Sequence, residues 1–242
     1  SNANSNGFNV FSVAADVNLQ DGAWTHTPNP NSWQSGQSLD TQSVNRLRVD
    51  IQGNLTVGAG AIIDANDQGF RRYSSGTSAG GSAHGGYGAG PNPAGFGQAL
   101  YDSILQPVYS GQGGANTGVF TDGGGAVYIT LSGDAQVDGT IRANAEEIRR
   151  TSPSRYRRVG AGGSVFLQTG SRNGSGLLQA KSRDRADSTG SGGGGGGRIG
   201  VVLTGPGQDF SGFTGTLDAQ GGPGGNSSVR AAGGSIYKQT AD

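Results

Sequence analysis

The stretch Ser191–Gly205, SGGGGGGRIGVVLTG, sets six consecutive glycines immediately ahead of a run of aliphatic, β-prone residues. Glycine loses more conformational freedom on folding than any other residue, so such a run either belongs to a flexible linker or answers a geometric demand. The residues after the glycines decide between the two. Ile199–Gly205 (IGVVLTG) has counterparts in Leu47–Gly53 (LRVDIQG), Val127–Gly133 (VYITLSG) and Val165–Gly170 (VFLQTG), and Ser235–Thr240 (SIYKQT) begins a fifth copy. A linker has no phased, strand-like copies downstream of it.

A second element comes after each complete copy: Ala61–Asn66 (AIIDAN), Gly139–Asn144 (GTIRAN), Gly176–Lys181 (GLLQAK) and Gly215–Gln220 (GTLDAQ). Alternation puts Ile63, Ile141, Leu178 and Leu217 on one face with Ala65, Ala143, Ala180 and Ala219, and Asp64, Arg142, Gln179 and Asp218 on the other. The spacing is regular: 38 residues from Val127 to Val165, 34 to Ile199 and 37 to Ile236, while the 80 from Leu47 to Val127 contain a large loop insertion at about 67–122. A repeat of short strands with all its apolar residues on one side cannot cover its own core, so the copies must stack. The expected fold is all-β, a right-handed parallel β-helix with long glycine-rich loops between rungs. In that reading glycine serves the corners by accepting positive φ and close backbone approach.

The organisation expected is a single domain: 1–3 as a cloning remnant, 4–46 as an N-terminal cap or incomplete rung, and 47–242 as the β-helix rungs. Val, Ile, Leu and Phe make up less than a fifth of the chain, a share typical of disorder, but disorder also needs high net charge, and here 17 basic residues balance 17 acidic ones. Without cysteine there is no disulfide framework, thiolate nucleophile or thiolate metal site. No apolar run is long enough to span a membrane.

The order of a glycine run, R-I-x-V (Arg198–Val201), GTLDAQGG (Gly215–Gly222) and AGGSIY (Ala232–Tyr237) resembles the glycine-rich repeats of large bacterial surface proteins with a pectin-lyase-like right-handed β-helix. GGSAHGGYG (Gly80–Gly88) and YDSILQPVYSGQGG (Tyr101–Gly114) resemble the segment those proteins place ahead of a rung. The resemblance covers about 47–240. It implies a secreted or cell-surface location and flanking domains in a longer chain, and leaves the activity open.

Chemistry is sparse. His26 and His84 are the two histidines, each read as a loop hydrogen-bonder, and no serine-hydrolase, zinc or P-loop motif occurs. Gly221–Asn226 has the glycines of a calcium-binding repeat but an asparagine in place of the carboxylate. A polysaccharide lyase or hydrolase on this scaffold needs clustered carboxylates. Asp50, however, is succeeded along its column by Thr130, Gln168 and Val202, and Asp64 and Asp218 are separated by Arg142 and Gln179, which reads as a cross-rung polar ladder. No catalytic residue, metal site or cofactor is assigned.

Two surfaces are candidates for binding. Arg71, Arg72, Arg149, Arg150, Arg155, Arg157, Arg158, Arg183 and Arg185 leave the coil at one corner and would form a basic loop ridge facing an anionic glycan or another surface protein, with Glu146, Glu147, Asp184 and Asp187 among them to quench its field. There is no specific nucleic-acid motif. Tyr128, Phe166 and Tyr237 phase together on the outward side of the first strand. They offer a platform for sugar rings or a surface for the insertion to roof, and the scarcity of exposed apolar strips favours a roof built from Ala99–Leu100 and Ile104–Leu105. The expected function is a non-catalytic structural or adhesin segment, the alternative a carbohydrate-binding or polysaccharide-degrading module.

Overall fold

The computed structural model describes residues 2–3, 9–32, 34, 37–71, 81–89, 100–114, 119–145, 149–150, 157–183, 192–224 and 229–241. They form a parallel β-solenoid of about five turns, with a single short helix, Leu39–Gln42, among the described residues. The first sheet stacks Asn9–Val13, Leu47–Ile51, Ala126–Leu131, Ser164–Thr169, Arg198–Leu203 and Ser235–Gln239 in parallel, with Asn2–Ala3 antiparallel at its outer edge. The second stacks Val17–Thr25, Leu55–Asp64, Ala135–Val137 with Thr140–Arg142, Arg172–Asn173 with Leu177–Gln179, and Thr216–Asp218.

The register is the one the repeat predicts. Leu47, Val127, Val165, Ile199 and Ile236 pair in succession, as do Ile63, Ile141, Leu178 and Leu217. Ile63, Ile141, Leu178, Ala65, Ala143 and Ala180 are fully buried in the interior between the sheets. A turn also precedes Leu47, since Phe11 pairs with Val49 and Trp24 with Ile63. Corner side chains stitch each turn to the next. Asp16 Oδ1 accepts from the Asn54 amide at 2.7 Å, Asn54 Oδ1 from Asp134 at 2.8 Å, Asn66 Oδ1 from Asn144 at 2.8 Å, and Asn144 Oδ1 from Lys181 at 2.9 Å.

The glycine runs are a third packed side of the solenoid rather than excursions from it. Gly123, Gly124 and Gly125 donate to the carbonyls of Phe70, Ala161 and Ala65; Ala161, Gly162 and Gly163 donate to Gln112, Gly195 and Ala143; Gly195, Gly196 and Gly197 donate to Ser82, Ala232 and Ala180. In each triplet the first bond goes to the 67–122 segment, the second to the next turn, and the third to the alanine column of the second sheet. Three directions in three residues is the period of polyproline II, not of a β-strand. The insertion thus supplies neighbours that this layer needs.

Of the two demands expected of the glycines, positive φ is absent from the runs among the described residues and close backbone approach is met. The described glycines with positive φ are Gly22, Gly174 and Gly207, and none lies in a run. Close approach is the demand: a Cβ on Gly163 would fall on the carbonyl oxygen of Gly125, and one on Gly195 on that of Gly86.

One core position is anomalous. Arg172 occupies the inward column of Leu55 and Ala135, is 1% exposed, and finds no hydrogen-bond partner for its three guanidinium nitrogens among the described residues. Ala135 leaves room for it, and its guanidinium lies 3.3 Å from the centroid of the Phe213 ring. Burial pulls its pKa down to about 9, so it is still charged at neutral pH. Replacing an uncompensated buried charge by an apolar side chain of similar length removes a desolvation cost larger than the cation–π attraction it forgoes. Arg172→Met is expected to raise stability by about 1–3 kcal/mol in urea unfolding; a lower midpoint would show that the guanidinium is compensated.

Candidate functional site

The outward column of the first sheet runs Arg48, Tyr128, Phe166, Gly200, Tyr237. Arg48 lies 5.0 Å above the Tyr128 ring, and Tyr128 stacks on Phe166 with centroids 4.6 Å apart. The insertion covers part of this column, but not with the side chains expected: Ala99 lies outside the described residues, and Leu100, Ile104 and Leu105 are exposed. Gly200 leaves the space in which the Leu105 carbonyl and Pro107 lie against Phe166, and a Cβ there would meet Pro107 at 3.0 Å and Leu105 at 3.2 Å. Phe166 is consequently fully buried, so it offers no face to a ligand, whereas Tyr128 and Tyr237 are half-buried. The roof's own apolar residues, Ile104 and Leu105, point outward at 51% and 55% exposure.

The roof is held by a buried polar node. Asp102, at φ 74, has a side chain that is fully buried. Its carboxylate accepts from Ser164 Oγ at 2.9 Å, from the amides of Val108 and Tyr109 at 3.0 Å, and from its own neighbour Ser103 at 2.8 Å. His84, also fully buried, sets Nε2 3.2 Å from Asp102 and Nδ1 2.8 Å from the Gly162 carbonyl. Burial opposes ionisation of Asp102, yet its hydrogen bond and electrostatic attraction to His84 and the Tyr109 and Val108 amides outweigh it and hold the carboxyl below its ordinary range. The Arg198 guanidinium donates to the Tyr101 carbonyl at 3.0 Å and to Ser235 Oγ at 2.9 Å, tying the node to the last strand.

Serine, histidine and aspartate here do not make a nucleophile site. Asp102 stands between Ser164 and His84, so the histidine cannot take the serine proton, and all three are closed to solvent. The node closes the insertion onto three turns. The expectation that His84 acts as a hydrogen-bonder holds, but its partners lie far off in sequence. Asp102 carries no signal in the linear chain, where neither its φ nor its burial shows.

The expected polar ladder forms. Arg142 donates to Asp64 at 2.8 Å, Gln179 to Asp218 at 3.3 Å, Asn144 to Gln179 at 3.1 Å and Thr130 to Asp50 at 3.1 Å. Among the described residues no three His, Cys, Asp or Glu side chains group as a metal site, and no helix is long and apolar enough to cross a membrane. A cavity of about 380 Å³ lies against the last turn, lined by Leu217, Ala219 and Ile236, which makes it the uncovered end of the core.

Of the basic ridge, Arg72, Arg155 and Arg185 lie outside the described residues, as do Glu146, Glu147, Asp184, Asp187 and Asn226. Arg71 is exposed, and its backbone bridges to Ser32; Arg183 is half-buried. Arg149–Arg150 and Arg157–Arg158 flank Val119–Phe120 in a small three-stranded sheet, the first pair antiparallel to it and the second parallel. No family model, curated protein or solved structure matches the chain.

Proposed function

We propose that this chain is a non-catalytic, rigid segment of a larger secreted or cell-surface protein, an adhesin-like stalk whose outer residues meet a partner. The observation that carries the reading is where the carboxylates go. Asp50, Asp64, Asp102 and Asp218 each accept hydrogen bonds from a neighbouring turn or from the insertion, so the carboxylates of the outward columns and of the buried node serve cohesion. Cross-linked turns also make the body stiff, which suits a spacer. The likeness to glycine-rich, pectin-lyase-like surface repeats supports the location and the flanking domains.

A glycan array paired with turnover assays on acidic polysaccharides tests this. Binding without cleavage is the expected outcome. Turnover that Asp64→Asn or Asp218→Asn abolishes would replace the reading with a polysaccharide-degrading enzyme.

A further inference from the structure

The chain carries 15 arginines and two lysines. A bias that strong bears on ligand chemistry, because guanidinium presents a planar fork that matches oxyanions two-pronged, while ammonium is a point charge. The fold concentrates four of the arginines. Arg149 and Arg158 take the register positions on either side of Phe120 and share its face, and Arg150 and Arg157 those on either side of Val119 and share the opposite face. At one strand spacing per step, each pair's backbones stand about 10 Å apart. The acidic residues nearest to them in sequence are Glu146 and Glu147, which the four arginines outnumber two to one.

The sheet is also anchored. Val119–Phe120 runs into Thr121 and the Gly123–Gly125 triplet, and Arg157–Arg158 runs into Val159 and the Ala161–Gly163 triplet. The Gly160 amide donates to Thr121 Oγ1, and the Gly114 amide donates to the Thr121 carbonyl at 2.9 Å. Both arms therefore leave the hydrogen-bonded glycine layer, so holding them in place on binding costs little extra order.

We propose that this three-stranded sheet binds the sulfate or carboxylate groups of a linear anionic polysaccharide. The class of partner rests on the adhesive reading above; the place rests on the register. Two arginine positions about 10 Å apart suit charges spaced along a sugar chain, whereas duplex DNA carries a charge every ~1.7 Å of its axis and calls for a broadly basic surface. This chain is neutral overall.

Titration calorimetry with dextran sulfate, polygalacturonate, uncharged dextran and a short DNA duplex tests the proposal on the whole chain. Dextran sulfate or polygalacturonate should bind, more weakly as salt rises, and dextran should not. Replacing Arg149, Arg150, Arg157 and Arg158 together by Gln should weaken binding about tenfold or more, while Arg230→Gln, at an exposed arginine elsewhere, should change it less than about twofold. Absent binding, unchanged affinity in the fourfold variant, or tighter binding of the duplex would overturn it. Should the fourfold variant unfold, the two same-face pairs carry the test, Arg149→Gln with Arg158→Gln and Arg150→Gln with Arg157→Gln; one pair is expected to cost about threefold or more, and no loss in either has the same force. Wild-type binding confined to neutral glycans on the array would remove this site and leave the adhesive reading standing; turnover of the bound polysaccharide would do the reverse.

Discussion

Gly196→Ala is expected to lower stability by at least about 3 kcal/mol, or about 6–12 °C in Tm. The new methyl group would fall on the Ala219 carbonyl oxygen and crowd the Gly234 amide. Both are backbone atoms. Neither can turn aside as a side chain would, and both belong to hydrogen bonds of the layer, Gly234 itself donating to Ala219 at 2.7 Å. The stiffer unfolded chain that alanine brings offsets less than about 1 kcal/mol of this. Gly233→Ala is the control, since its Cβ would meet nothing closer than the Ala219 oxygen at 3.9 Å; it should stay within about 0.5 kcal/mol of wild type. Equal losses in paired thermal melts would mean that glycine is used here for chain flexibility and not for proximity.

Asp102→Asn should cost about 3 kcal/mol, since two or more buried donors lose their acceptor at about 1–3 kcal/mol each. The substitution keeps the shape, but it takes the carboxylate from His84 and sets an amide where Ser164, Val108 and Tyr109 need an acceptor. Hydrogen exchange at the Val108 and Tyr109 amides should accelerate, together with exposure of Phe166 beneath the roof. Acid should act along the same path. The carboxyl is held below its ordinary value of 3.8, so its contribution is complete above that pH and disappears as pH falls below it through the native value. Wild type and variant should therefore differ most at neutral pH and converge at the acid end; a gap independent of pH would place the cost in packing rather than in charge.

The aromatic column shows how far a linear reading reaches. Alternation puts Tyr128, Phe166 and Tyr237 in one column, and they are paired in one column. Whether that column meets solvent or the insertion depends on a contact between residues about 60 positions apart, which only burial of Phe166 reveals. The same holds for Arg172. Its sequence neighbours, Ser171 and Asn173, read as a polar corner, and nothing local signals that its register partner is a core alanine.

The sequence by itself determined the period, the inward and outward faces, the polar ladder and the parallel stacking, because each arises from alternation repeated at near-constant spacing, and translation of one turn onto the next requires no further information. It pointed to close backbone approach at the glycines but did not determine which backbones approach. Only the tertiary structure decided that, since three-directional hydrogen bonding among the 67–122 segment, the turn above and the alanine column depends on which backbones lie side by side, and glycine has no side chain through which a pattern could announce its neighbours.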